Sequence, residues 1–453
     1  MSEPHVLMVA PFAILLLAIA LMPFIHKHHW ENHYPKIAIG LGLITTVYYV
    51  GFLHNAPRML ASLVEYCGFM ALIGSLFVIA GGIHINMTGR STPAVNTGLL
   101  ALGAVLANVI GTTGASMLLI RPFLRINKDR VAPYHVVFFI FLVSNIGGGL
   151  TPIGDPPLFL GYLKGVPFFW LLTKPSVLGA WFVCVGALLA LFFVVDTIRF
   201  RKHKPLPTEE THDRIELEGS HNFLWLVAII GLVLLQKADW LKGLEHWSVF
   251  TTIGDTLGWG APKAAENFIT VIIAALMIGM ACLSHKFANP DALHENEFGF
   301  GPIKEVGFLF AGIFATMVPA LDLLEKHAAD IGISSVRQFF WGTGILSAVL
   351  DNAPTYLNFL AAAFGLRQLS LENPTDMATM LADPHLASYV VAVSLGAVLF
   401  GACTYIGNGP NFMVKSIAES SGVKCPSFFG YVFKYSLPIL IPLFALVSWL
   451  FLR

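Results

Sequence analysis

Apolar runs near the roughly 20 residues that a membrane helix needs recur along the chain. They lie near 5–25, 36–53, 66–87, 135–160, 175–198, 222–236, 267–284, 303–324, 386–418 and 427–452. Two further apolar stretches, 97–124 and 336–366, carry polar and helix-breaking residues at their middles. They predict hairpins that enter the membrane and return to the side they left. The runs 135–160 and 386–418 are interrupted by Gly and Pro and predict broken helices. The fold class expected is an all-α polytopic membrane protein. It is read as an inverted-topology repeat with two re-entrant hairpins and two broken transmembrane helices.

Composition agrees. Of the 453 residues, 56% are hydrophobic and only 12% charged, where a soluble domain carries about 25% charged residues. Mean hydropathy is +0.72. These values exclude a disordered chain, a disulfide scaffold and a typical cytosolic enzyme. The 27 Lys and Arg balance the 27 Asp and Glu, so no basic field points to nucleic acid. The five cysteines form no CxxC pair, which leaves zinc and disulfide frameworks without support. No Walker A, GxGxxG, HExxH or GxSxG motif occurs, so neither ATP-driven transport nor an enzyme is expected.

Charge sets the expected orientation. Ser2, Glu3 and Pro4 precede the first span and Lys27 follows it, which argues against a signal peptide. The positive-inside rule puts the N-terminus outside a multi-pass cell (inner) membrane protein. The basic clusters 121–130 and 199–204 both fall inside if 97–124 is re-entrant. The polar stretch 199–221 is read as a cytoplasmic linker between two halves, 1–198 and 222–453. The segment 237–266 carries Trp240, Trp247 and Trp259 and is read as an interfacial helix. His26-Lys27-His28-His29 is read as a solvated loop, and His84 as a satisfied core histidine at the inner end of the third span. Arg121 and Arg125 are read as interface anchors of the first hairpin, and Lys415 as snorkelling to the headgroups.

The halves share a motif. Thr151-Pro152-Ile153-Gly154-Asp155-Pro156-Pro157-Leu158-Phe159-Leu160 aligns with Thr404-Tyr405-Ile406-Gly407-Asn408-Gly409-Pro410-Asn411-Phe412-Met413, an offset of 253. Upstream, Asn108 aligns with Asn352 at 244, and Ala80-Gly81-Gly82-Ile83 aligns weakly with Ala311-Gly312-Ile313-Phe314 at 231. Offsets that grow along the chain describe a duplicated unit with loop insertions. The halves begin on opposite sides, so the unit is inverted, as in many secondary transporters, whose sites lie where broken helices meet.

Ionisable groups inside a bilayer are costly and usually mark ion or proton pathways. Asp155 falls in the first break and Asp351 at the second hairpin tip. Asn108, Thr112, Thr113, Ser144, Asn145, Thr151, Asn352, Thr355, Thr404, Asn408 and Asn411 supply oxygens and amides around them. Gly148, Gly154 and Gly407 supply the freed backbone. Hard cations prefer oxygen, so sodium is expected at Asp155, with Asn108 and Asn145 beside it. No cofactor is expected beyond sodium or protons as coupling ions.

Ser144-Asn145-Ile146-Gly147-Gly148-Gly149 followed by Thr151-Pro152-Ile153-Gly154-Asp155-Pro156-Pro157 closely resembles a signature of the ion transporter superfamily. Asp351-Asn352-Ala353-Pro354 and Thr404 to Asn411 resemble its second-half hairpin and break. That clan includes NhaD-type sodium/proton antiporters, arsenite permeases, citrate-metal-proton symporters (CitMHS) and divalent-anion/sodium symporters. The resemblance spans roughly residues 60–450. It implies a scaffold and a transport part in each protomer, a homodimer, and an elevator-like motion. The first hairpin lacks both the Asp-Asn pair of the NhaD type and the Ser-Asn-Thr triplet of the dicarboxylate symporters.

The two carboxylates favour an ion-coupled secondary transporter of the sodium/proton antiport class, since a tricarboxylate beside them would be repelled. The alternative is sodium- or proton-coupled uptake of citrate or a related carboxylate, which half-helix N-termini would favour. Arsenite or another oxyanion is a lesser expectation, and a non-transporting membrane scaffold a distant one. The expected partners are a small ion or small carboxylate and the lipid bilayer.

Overall fold

The computed structural model describes residues 3–88, 91–202 and 214–452. The chain is almost entirely helical. Its first half holds α1 (Ala10–Ile25), α2 (Lys27–Val47), α3 (Ala56–Gly81), α4 (Pro93–Ile126), α5 (Pro133–Leu142), α6 (Pro156–Leu163) and α7 (Pro175–Lys202). The second holds α8 (Asn222–Gln236), α9 (Ser248–Leu257), α10 (Gly260–Lys286), α11 (Pro290–Glu295), α12 (Gly301–Thr316) and α13 (Val318–Lys326). It continues with α14 (Val336–Val349), α15 (Asn352–Gly365), α16 (Pro374–Ala382), α17 (Pro384–Gly401), α18 (Gly409–Ser420), α19 (Phe428–Tyr431) and α20 (Ile441–Phe451). Among the described residues, nine helices are long and apolar enough to cross a membrane. The chain is a multi-pass membrane protein.

The helix α4 is not one straight rod. Gly111 interrupts it at φ 78°, ψ 156°, a conformation that a Cβ makes costly. Beyond it the chain doubles back. Asn96 and Asn127, 31 residues apart, exchange amide hydrogen bonds of 2.8 and 2.9 Å. A straight helix would hold them about 46 Å apart. Midway, Gly103 lies against Leu119. A second helical hairpin forms from α14 and α15, where Gly342 faces Phe359 across Leu350 and Asp351. The two predicted hairpins are therefore folded back on themselves, with bases near 96/127 and tips at Gly111 and Asp351.

The elements pack in two groups. In one, α4 to α7 meet α15, α17, α18 and α20, and α14 packs on α15 and α17. In the other, α1 to α3 meet α8, α10 and α12. Ser62 Oγ on α3 donates to the Phe314 carbonyl on α12 at 2.7 Å, and Gln236 on α8 donates to Thr270 on α10 at 2.9 Å. The seam between the groups runs along α3 against α4 and α6, and α13 against α15.

Four expectations change. The segment 84–88 is a strand, not the end of a span. It pairs antiparallel with 214–218, His84 opposite Glu218, so the described residues include a small two-stranded sheet. The stretch read as a linker is helical to Lys202 and extended at Arg214–Glu218; its centre, 203–213, lies outside the described residues, as does Arg90. His28 and His29 belong to the first turn of α2, bonding to Asn32 and His33 one turn on, so that run is helix and not loop. The aromatic segment splits into a 3₁₀ stretch, Asp239–His246, and α9, while α10 already starts at Gly260.

Candidate functional site

The first broken helix stops at Leu142 and resumes at Pro156. Asp155 caps the resumed half in an extended conformation (φ −141°, ψ 142°). The second stops at Gly401 and resumes at Gly409, capped by Asn408 (φ −156°, ψ 142°). Both breaks are held by the same devices. Thr151 Oγ1 donates to the Asn108 carbonyl and Thr404 Oγ1 to the Ala348 carbonyl, each at 2.6 Å. The same hydroxyls accept from the Gly154 and Gly407 amides at 3.1 and 3.0 Å. A Cβ on Gly154 would strike the Gly148 oxygen, and one on Gly407 would stand 2.7 Å from the Gly401 oxygen. Each threonine thus clasps a break to the hairpin of its own half, and each glycine permits the close crossing.

These contacts revise the upstream alignment. The carbonyls of 108 and 348 play equivalent parts, as do the tips at 111 and 351, an offset of 240. Asn352 is therefore the counterpart of Thr112 and not of Asn108. The side chains follow suit. Thr112 Oγ1 and Asn408 Nδ2 donate to Asp155 Oδ1 at 3.2 and 2.8 Å, and Asn352 Nδ2 donates to Asp155 Oδ2 at 2.8 Å. Asp155 is 1% exposed.

Each of these four residues sits at a helix N-terminus. Thr112 opens the second arm of α4 and Asn352 opens α15, while Asp155 and Asn408 cap α6 and α18. Four positive dipole ends thus meet at one carboxylate. Asp351 lies within electrostatic reach of it. Asp351 Oδ1 accepts from the Ala353 amide at 3.0 Å, and its carbonyl accepts from Thr355 Oγ1 at 2.9 Å. The side-chain oxygen of Asn352 is buried without a hydrogen-bond partner, an orphan acceptor beside the carboxylate that could meet a cation or a water.

A second layer ties the two breaks together. Asn145 Nδ2 donates to Asn411 Oδ1 at 2.6 Å, and Asn145 Oδ1 faces Asn408 Nδ2 at 3.2 Å. Asn411 in turn donates to the carbonyls of Gly401 and Thr404, both at 2.8 Å. The Ser144 carbonyl accepts from Asn408 at 3.2 Å, while its hydroxyl pairs with Ser116 at 2.8 Å. Thr113 lines a small cavity at the first tip with Ile153, Gly154 and Leu76.

Asn108 is placed differently from the expectation. Its amide donates to the carbonyls of Ala104 and Gly147 at 3.2 and 2.6 Å, and its oxygen accepts from the Leu150 amide at 3.0 Å. Both ends serve the backbone, so Asn108 shapes the first break. Lys415 pairs with Glu419 at 2.9 Å and lies over the Tyr405 ring, away from Asp155's partners. His84 is buried and bonded to Asn296 at 2.9 Å. Arg121 meets Glu297 at 2.8 Å, and Arg125 meets Asn86 at 2.9 Å. Two contributors went unread in the sequence. Ser116 stood out as a polar residue in an apolar arm. Trp181, whose indole donates to the Gly147 carbonyl at 2.9 Å, looked like any other aromatic of a span.

A family model described as "Putative citrate transport" matches residues 1–452. No curated protein matches the chain.

Proposed function

The chain belongs to this citrate transport family, CitMHS_2, and from that premise we propose that it carries citrate or a related small carboxylate across the membrane, coupled to sodium or protons. The observation that carries the reading is the meeting of four helix N-termini at a single buried carboxylate. Helix N-termini attract anions, and one Asp can hold the coupling cation beside them. The cation then offsets Asp155 and removes the repulsion that a carboxylate substrate would otherwise meet. The sodium/proton antiport reading rests on Asp155 and Asp351 alone and leaves the helix ends without a task, and the family description favours the carboxylate.

In this mechanism Asp155 is the charge that a sodium ion or a proton neutralises. Asn352 and its orphan oxygen, with Asn145, supply neutral ligands, and the N-termini of α15 and α18 receive the substrate. The matched clasps at Thr151 and Thr404 support a repeated unit; in this reading the repeat is inverted, with re-entrant hairpins entering from opposite sides, and the positive-inside rule puts the N-terminus outside an inner membrane. Alternating access then moves the hairpin-bearing group against the other along the α3–α13 seam, in each protomer of a homodimer.

Uptake by purified protein in liposomes tests the reading. Citrate, sodium, a proton gradient and arsenite are offered in one panel. Citrate uptake that rises with external sodium or with an inward proton gradient is expected. Sodium-for-proton exchange with no citrate uptake would overturn it in favour of antiport.

A further inference from the structure

A cluster of six buried or half-buried charges lies on the seam between the two helix groups, apart from the site described above. Lys164 follows the last residue of α6, and Glu372 lies in the loop after α15. From the opposite group come Arg58 and Glu65 on α3, Lys263 on α10 and Asp322 on α13. Lys164 Nζ reaches Glu65 at 2.8 Å and also bonds Glu372. Lys263 stands 3.7 Å from Glu65 and 3.6 Å from Glu372. Arg58 joins Asp322 at 3.1 Å and Glu372 at 3.4 Å. Tyr49 donates to Asp322 at 2.7 Å, and Glu325 accepts from the Leu371 amide at 3.0 Å on the same seam.

Two features set this cluster apart from an ordinary structural ion pair. First, α6 and α15 both begin at the site, through Asp155 and Asn352, and both run toward the cluster, at Lys164 and Glu372. Their neighbouring faces touch, with Gly161 against Tyr356. A shift at the site is carried to the cluster by two packed helices. Second, the groups joined in ion pairs cancel on each side of the seam. Lys164 and Glu372 form one neutral pair, and Arg58, Lys263, Glu65 and Asp322 form a neutral set of four. Parting the two sides leaves no net charge among these six groups on either, which is what makes a buried contact reversible. A pair split one charge to a side would strand both.

We propose that this cluster is a latch, holding the α6–α15 end of the hairpin group against α3 and α10 in one conformation and parting when that group moves. The latch rests on the alternating-access reading, and it sets how populated each conformation is. Neutralising a charge on the fixed side weakens the latch and shifts the population.

The test places spin labels at Phe169→Cys and Val249→Cys, two exposed positions on opposite sides of the seam, with the exposed Cys67 and Cys282 replaced by Ser. The protein is held in lipid nanodiscs without substrate, so no assumption about cargo enters. One dominant distance is expected with the latch intact, and a clear second distance in Glu65→Gln. An unchanged distribution in both Glu65→Gln and Lys263→Met would overturn the latch; the second variant guards against a folding defect in the first. Separately, Glu65→Cys with Lys164→Cys is oxidised and the cross-link verified by mass. Citrate and sodium uptake should stop and return on reduction, and unchanged uptake by cross-linked protein would overturn the proposal. If the intact protein moves none of the panel solutes, it is the transport reading that fails, and the distance measurement still decides the latch.

Discussion

At the first break the capping residue is Asp155 and at the second it is Asn408, in closely similar backbone conformations. Around them the threonine clasps repeat within about a tenth of an ångström, and a glycine crosses close to backbone in each break. The caps differ by one charge, and they touch: Asn408 donates to Asp155 at 2.8 Å. Two carboxylates at that distance would repel strongly in a water-poor interior. The two breaks thus share a backbone geometry, and they differ in charge at the capping side chain.

The largest break in this comparison is Asp155→Asn. Three donors aim at Asp155, and an amide there turns its own NH₂ toward one of them. A donor left unsatisfied costs about 1–3 kcal/mol, which a folded protein survives. Coupled uptake should fall on the order of 100-fold, about 2.7 kcal/mol. Liposome uptake together with gel filtration separates the two effects. Moving the charge, by Asp155→Asn with Asn408→Asp, should restore coupling partly if only the shared cluster matters. Full silence would show that the charge must cap α6.

Next in size are the crossings. Gly154→Ala and Gly407→Ala each drive a Cβ against a backbone oxygen, that of Gly148 or of Gly401, and overpacking against backbone costs roughly 2 kcal/mol. Similar losses of thermal stability in detergent would support equal mechanical roles for the two breaks. A loss at only one would break the symmetry. Removing the clasps is milder: Thr151→Val and Thr404→Val should each cost about 1 kcal/mol in the same assay.

The far ends of the resumed helices sharpen the contrast. α6 leads to Lys164 in the buried cluster, whereas α18 carries Lys415 in an exposed-side pair with Glu419. Burial works against the Glu372 charge, but Arg58, Lys164 and Lys263 outweigh it and hold the carboxyl well below the usual 4.5. Its folded pKa is depressed, so its stabilisation is complete above pH 4.5 and is lost as pH falls through the folded value. Glu372→Gln should therefore flatten the acid limb of a stability-versus-pH curve while leaving the second break untouched. The smallest effect belongs to Lys415→Met, at most about 0.5 kcal/mol and no change in substrate half-saturation. A large rise there would place Lys415 at the site.

Much of this was legible in residue order. Gly and Pro inside apolar runs announced the breaks, because a helix that loses backbone hydrogen bonds at membrane depth needs other partners for them. The repeated Thr-x-Ile-Gly motif marked Thr151 and Thr404, though as oxygens around an ion and not as clasps, and Asp155, Asn352 and Asn408 were named as site residues. Asn108 was not legible in its true role. A polar side chain near a hairpin tip can reach the opposing helix or its own backbone, and which it does depends on a register of four residues that the motif leaves open. The strand pair 84–88 with 214–218 was hidden for a similar reason, since its partners lie in different halves and neither alternates clearly. The ion cluster is scattered from Arg58 to Glu372, and in sequence each member looked like a loop or helix-end charge.

Sequence alone determined the membrane class, the paired Thr-x-Ile-Gly motifs, the positions of the breaks and the charge difference between Asp155 and Asn408. Each follows from local chemistry: apolar length, backbone freedom, and the cost of a charge without water. Tertiary structure alone decided that four helix ends meet at Asp155, that Thr112 and not Asn108 is the partner of Asn352, and that distant charges cancel across a seam. Hydrogen bonds fall off within a few tenths of an ångström, so contacts between residues hundreds of positions apart exist only once packing has set the distance.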